Sequence, residues 1–347
     1  MSNRKILLPM AEPLIHGYNH YAHLLSILQC NEKTFPWIYS NFIHIFMNKD
    51  LFRNQWGDFY NPMQYELRMS DTCKWIKNPR VQREEFSKNS EKLICFIQKE
   101  LGRGNYIHLF IDHGQITSFE VNKKYHDALV FGIDIESNEI YVADVYRYGL
   151  YEKKVLNINE FIDAYYSAEQ KNEYDFLNEM IYLYKVKDEC DIEFNIKNIE
   201  NSIIEYRDSK TPEYWRLYNF SNSKELVFGL SVYDAVCKYI ECVLDKEDIY
   251  VDIRQCYLLM EHKKIMTERF KFLCKQKYYE EKKMIFIIES YKKMTGKSKT
   301  IINLLIKYII TKNKNELNKV LDFLYQIKNE EYETLGRYLD IIRMGEI

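Results

Sequence analysis

The chain has 347 residues, 46% of them hydrophobic and 29% charged, a composition that fits a folded protein of about two ordinary domains and not a disordered chain. Its 49 Lys and Arg nearly balance 51 Asp and Glu, for a net charge of -2, which argues against a globally basic nucleic-acid binder. Gly (11) and Pro (6) are scarce beside 30 Tyr and 19 Phe, and neither GxGxxG nor a P-loop pattern occurs, which argues against a Gly-rich phosphate cradle.

Residues 18–29 read as a helix with Leu24, Leu25 and Leu28 on one apolar face. Further helices are expected near 37–48 and 81–100. The period then changes, and 106–112, 128–134, 139–146 and 150–155 read as strands rich in Val, Ile, Tyr and Phe. Ser137-Asn138 stands between two of them as a hairpin turn. Asn157 with Glu160 three residues later predicts the start of a helix through Phe161, Ala164 and Tyr165. A last strand is expected at 180–186, which makes this part α+β with an antiparallel meander.

Turn chemistry at 208–212 and 221–223 places a domain boundary there, giving an α+β domain over 1–215 and an all-helical domain over 216–347. Helices are expected at 231–244, 251–275, 278–294, 299–311, 314–328 and 330–343, with Asn315 and Asn329 in cap-like positions. The eight cysteines contain no CxxC pair and read as reduced thiols of a cytoplasmic protein. Pro9, Glu12 and Pro13 break the first apolar run, so no signal peptide is expected. Residues 300–311 are too short for a membrane span and include Lys307.

Three groups of residues could carry chemistry. His126 opens one strand and Asp144 lies toward the end of the next, so a hairpin brings them to one end of a sheet. There the carboxylate could orient the imidazole as a base, or the two could be a capping His and a turn Asp. His16, His20 and His23 crowd the start of the first helix and could hold Zn²⁺ or Cu²⁺, but no carboxylate or Cys at matching spacing completes a motif, so no metal is assigned. Arg254, Glu261, His262 and Arg269 fall close to one face of a helix that also carries Leu258 and Ile265. Charged groups on such a face need partners, so Glu261 is expected to bond Arg254, Arg269 or another basic group, either near a site or in an ion-paired packing seam. Over 261–293, ten basic residues face five Glu, which suits docking of an acidic partner such as a carrier protein, or a solvated helix face.

The run YHDALVFGIDIESNEIYVADVYRYGLYEKK, Tyr125 to Lys154, resembles the His and Asp strands of papain-like cysteine peptidase relatives. It is most similar to the group containing the N-terminal domain of butirosin biosynthesis protein H, and to peptidase-like amide synthases found beside nonribosomal peptide assembly lines. FGLSVYDAV and EHKKIMTERFKFL resemble the helical region that follows in such proteins. The resemblance implies a papain-like domain, no cofactor, and acyl transfer from an acyl or peptidyl carrier protein to a small-molecule amine or peptide-like intermediate, with no nucleic acid or membrane involved. In that family a Cys at the start of the first helix carries the acyl group, a His is its base and an Asp orients the His.

The segment HGYNHYAHLLSIL aligns with that helix, and the alignment puts His20 where the Cys should stand. Cys30 lies about three turns further on, and Leu14 stands where relatives carry an oxyanion-stabilising Gln. The implied site is therefore His126 as base, Asp144 as orienter and His20 in the nucleophile position. Asn19, Tyr21, Arg254, Glu261, His262 and Arg269 are the expected substrate- or partner-binding residues. Three functions fit: a pseudoenzyme that binds the acyl thioester, a Cys-independent amide-forming acyltransferase, or a pocket converted to a His/Asp metal site.

Overall fold

The computed structural model describes residues 5–60, 69–117, 125–145, 151–168, 179–212, 225–246 and 251–345. Its contacts divide the chain into two units, 1–35 with 65–192, and 36–64 with 193–347. Two units were expected, but the division falls at 192 instead of 215, and the segment 36–64 joins the C-terminal unit. Of the boundary signals, 221–223 lie outside the described residues.

The first unit is α+β. An eight-stranded sheet is built from β1 (Lys5–Leu7), β2 (Ile76–Lys77), β3 (Arg80–Gln82), β4 (Tyr106–Asp112), β5 (Tyr125–Asp134), β6 (Glu139–Val145), β7 (Tyr151–Asn157) and β8 (Met180–Val186). Its main path runs β2-β8-β4-β5-β6-β7, with β1 added to β5 and β3 to β8, and every pairing is antiparallel. The expected β4 and β8 match at both ends, because each is a short β-branched and aromatic run. The turn between β5 and β6 passes through Asn138 at φ 57, the left-handed conformation that Asn tolerates best after Gly. Gly132 sits at a bulge where a Cβ would stand 2.7 Å from Leu7 Cδ1 and 2.9 Å from the Ile6 carbonyl, so only glycine lets β1 close onto β5.

The longer helices described in this unit are α1 (Asn19–Leu28), α2 (Ser90–Gly102) and α3 (Ile158–Ser167), with a single turn at Met69–Thr72. Asn157 caps α3 by accepting from Asn159 N at 2.9 Å, as its sequence predicts. Asn89 caps α2 in the same way, so the helix expected over 81–100 starts only at Ser90, and 80–86 form a strand and a single 3₁₀ turn. The core gathers Leu93, Ile97, Leu101, Ile107, Leu109, Val130, Val142 and Phe161. These come from one face each of sheet and helix, which is how an α+β layer buries its apolar area.

The second unit is dominated by helices α4 (Ile196–Arg207), α5 (Val232–Asp245), α6 (Arg254–Lys275), α7 (Glu281–Thr311) and α8 (Lys314–Gly345). It is not all-helical, as expected from sequence: Leu226–Phe228, Ile45–Asn48 and Gly57–Phe59 form a three-stranded antiparallel sheet. The helix expected over 37–48 is therefore a short helix, Phe35–Ser40, a left-handed Phe42 at φ 58, and then a strand. A short apolar run has no periodicity that separates the two states. The breaks expected near 295–298 and at Asn329 are also absent, since α7 and α8 are continuous over 31 and 32 residues. Tyr291, Met294, Ser298, Ile301 and Leu305 stay buried on one stripe across Gly296, and that packing outweighs the ~1 kcal/mol propensity penalty of an interior glycine. Asn313, not Asn315, caps α8, accepting from Asn315 N at 3.1 Å.

The core of this unit holds a charged network. Lys263 Nζ meets Glu331 Oε2 at 2.6 Å with both side chains fully buried. Tyr233 and Tyr291 donate to the same carboxylate at 3.0 and 3.1 Å. His262 Nε2 donates to the Ile43 carbonyl at 2.8 Å, and Arg269 donates to the carbonyls of Tyr39 and Asn41. The expected polar seam on α6 exists, but its centre is Lys263–Glu331. Arg254 bonds Asp252, at 2.7 Å from Nε to Oδ2. Lys263 also belongs to the basic stretch expected to face solvent, and it does not.

Candidate functional site

The first turn of α1 and the ends of β4, β5, β6 and β7 meet in one buried polar cluster. Leu129 pairs with Ala143 in the β5–β6 register, so Asp144 falls opposite Ala128 and His126 is its diagonal neighbour on the same face. The side chains touch: His126 Nδ1 lies 2.6 Å from Asp144 Oδ1. The other oxygen of Asp144 meets His113 Nε2 at 2.7 Å, just beyond the end of β4. Asp144 is fully buried. Burial alone would raise its pKa, but the bonds from His113 and His126 more than reverse this and hold it below the usual carboxylate range. The carboxylate is thus an anion clamped between two imidazoles.

A second carboxylate sits beside the first. Asp127 pairs opposite Phe110 on β4, which makes His108 its diagonal neighbour, and His108 Nε2 lies 3.1 Å from Asp127 Oδ2. His23, one turn along α1 from Asn19, brings its Nε2 to 3.8 Å from the same oxygen. The Nδ1 atoms of His23 and His108 are bonded to the hydroxyls of Tyr151 and Tyr184 at 2.9 and 2.8 Å. Burial pushes the His23 pKa down to about 3, so its imidazole is neutral.

Asn19 joins the two halves. Its Nδ2 lies 2.9 Å from His126 Nδ1, 3.0 Å from Asp127 Oδ1, 3.0 Å from the Asp127 carbonyl, and against Asp144 Oδ1. One amide nitrogen with two hydrogens faces three oxygen acceptors, beside an imidazole nitrogen that itself donates to Asp144, which marks the cluster as rich in negative potential. Among the described residues, the hydrogen-bond and ion-pair partners of Asp127 and Asp144 are imidazoles, the Asn19 amide and a main-chain N–H, with no Lys or Arg.

Of the residues expected from sequence, the structure brings Asn19, His126 and Asp144 together. It is the Asn19 side chain, and not that of His20, that lies against the His126 imidazole, 2.9 Å from Nδ1. His20, the expected occupant, is half-buried with its ring centroid 4.0 Å from that of Tyr21 and 5.8 Å from that of Tyr18. The two positions differ by about 100° around the helix, so a one-residue misalignment selects a different face. Cys30 lies past the end of α1, and burial raises its thiol pKa, opposite to the shift a nucleophilic thiol needs.

The histidine group expected at the helix start divides: His16 lies 3.4 Å from Glu12, whereas His23 is buried with His108 and Asp127. Tyr21, Glu261, His262 and Arg269, expected to bind substrate or partner, are all at most 1% exposed, so among these expected binding residues of the core only Arg254 reaches the surface. His108, His113, Asp127 and Tyr151 were not singled out from sequence. The only local signal was His108, a polar residue inside an apolar strand. Among the described residues, no helix is long and apolar enough to cross a membrane. No protein-family model matches the chain, and no curated protein matches it.

Proposed function

We propose that the protein is a papain-like, cysteine-peptidase-related acyl-binding protein whose nucleophile has been exchanged for an amide. It would take an acyl thioester on a carrier protein, or a peptide-like biosynthetic intermediate, and hold it without forming an acyl-enzyme. The observation that carries this reading is the Asn19 amide, 2.9 Å from His126 Nδ1 on the first turn of a helix, with Asp144 2.6 Å from the same imidazole nitrogen. Asp144 holds this nitrogen as an orienter holds a catalytic imidazole, which leaves Nε2 as the basic nitrogen, and Asn19 stands beside the pair on the helix turn where the resemblance implies a nucleophilic Cys. The nitrogen lone pair of a carboxamide is delocalised into its carbonyl, so Asn19 cannot attack a thioester. What remains is a site that can bind and polarise an acyl group.

A second reading is favoured by the state of the base. Asp144 is anionic and the His126 side chain is 19% exposed, so an amine arriving from solvent can reach a poised imidazole. The amine would attack the thioester carbonyl, His126 would take its proton, and the carrier thiolate would leave.

One experiment separates these. The protein is titrated with an acyl-pantetheine thioester, then incubated with acylated carrier protein and a panel of amines, with products read by mass spectrometry. Reversible binding, an unchanged protein mass and no amide support the first reading. Amide formed by the wild type and lost in His126→Ala supports the second. Neither binding nor product removes both.

A further inference from the structure

We propose that His23, His108 and Asp127 form a binding site for one Zn²⁺ ion, distinct from the His126–Asp144 pair. The proposal goes beyond the acyl-binding reading and does not depend on it. The three ligand atoms, two imidazole Nε2 and one carboxylate Oδ2, all lie within 4.8 Å of one another. Two of the edges are 3.1 and 3.8 Å. A tetrahedral zinc with bonds of about 2.0–2.1 Å has ligand–ligand edges of about 3.3 Å, so the triangle already has nearly the right size.

The His23 imidazole points to a cation between these atoms. It is fully buried, and its Nε2 makes no hydrogen bond. If Nδ1 donates to the Tyr151 hydroxyl, Nε2 presents a bare lone pair to the Asp127 carboxylate 3.8 Å away, which is repulsive. If Nε2 carries the proton instead, 3.8 Å is too long for a hydrogen bond and the donor is buried without an acceptor. An ion between them, bound to Nε2 in the tautomer whose proton sits on Nδ1 toward Tyr151, replaces the repulsion with two bonds.

The surroundings agree. Both imidazoles are held at Nδ1 by tyrosine hydroxyls, at 2.9 and 2.8 Å, which is the way outer groups orient ligating histidines. Among the described residues Asp127 has no Lys or Arg partner, and a divalent cation would neutralise its carboxylate. Two imidazoles and a carboxylate suit zinc with one coordination position left open. The neighbouring group His113, His126 and Asp144 also has ligand atoms in reach. There, however, the imidazole–carboxylate distances are 2.7 and 2.6 Å, hydrogen-bond lengths well under the edge of about 3.3 Å that a tetrahedral zinc needs.

The test starts from chelator-treated full-length protein, titrated with Zn²⁺ against a chromophoric competitor and, separately, with Co²⁺. The expected result is one zinc per chain and visible Co²⁺ absorption of four-coordinate intensity. Affinity should fall at least about 100-fold in His23→Gln and Asp127→Asn, about tenfold in Tyr151→Phe, and stay unchanged in His126→Gln. If His23→Gln does not fold, the wild-type Co²⁺ spectrum and Tyr151→Phe decide. Folded wild-type protein that takes up neither metal at micromolar concentration overturns the proposal. So does binding that survives His23→Gln and is lost in His126→Gln. The thioester titration reads separately from both results.

Discussion

His126 and Asp144 stand on neighbouring strands and meet at 2.6 Å, while the opposite oxygen of the same carboxylate holds His113 at 2.7 Å. One buried anion therefore fixes two imidazoles, one of them partly open to solvent. Removing the charge while keeping the shape isolates this effect. Asp144→Asn can accept only one of the two bonds and presents an amide N–H₂ to the other ring. Stability to urea should drop by roughly 1.5–3 kcal/mol, the range for hydrogen bonds to a charged group. An unchanged urea midpoint would mean that the two imidazoles do not depend on the carboxylate.

The ion pair in the helical unit makes a different prediction. Lys263 and Glu331 are both fully buried, 2.6 Å apart. Lys263→Met leaves the carboxylate without its cation and should destabilise the protein by about 3–5 kcal/mol. Adding Glu331→Gln should recover much of that loss, because the uncompensated charge is gone. A double variant no more stable than Lys263→Met would show that packing, and not charge, dominates there.

His262 gives a pH dependence with a definite sign. Burial first, and then the Lys263 charge, hold its pKa well below the ordinary 6.5, so it stays neutral in the fold. Below pH 6.5 the unfolded chain takes up a proton that the folded chain refuses, so stability falls as pH falls. The contribution is ~1.4 kcal/mol per pH unit below that point. His262→Gln keeps a donor for the Ile43 carbonyl and removes the titration. Urea unfolding from pH 7 to pH 5 should therefore show a shallower loss in His262→Gln than in wild type, and parallel curves would count against this account.

The sheet was legible because its strands are short, β-branched runs with turn residues between them: β4 and β8 match at both ends, and the His126–Asp144 contact follows from hairpin geometry. The expectation failed where distant partners decide the local state. The strand Ile45–Asn48 exists because Leu226–Phe228 pairs with it, nearly two hundred residues away along the chain, a relationship with no local trace. Breaks were expected at 295–298 and at Asn329, yet both helices run through, the first along a continuous buried stripe. In the site, the resemblance pointed to the first turn of α1 and to His20, whereas the side chain of that turn that meets His126 is Asn19. Which residue of a turn faces the sheet depends on helix rotation, and that is fixed by packing. His108, His113 and Asp127 were hidden for a similar reason. They become a cluster only when β4, β5 and α1 close together.

The central proposal is that Asn19 stands where a papain-like relative would carry its Cys, beside the His126–Asp144 pair, and Asn19→Cys tests it most directly. The variant and the wild type are incubated with an acyl-pantetheine thioester, and intact masses are recorded. The account predicts that Asn19→Cys gains one acyl group more than wild type, and that adding His126→Ala abolishes the gain. A Cys at position 19 that acquires no acyl group beyond the wild-type background, in folded protein that binds the thioester, would contradict it.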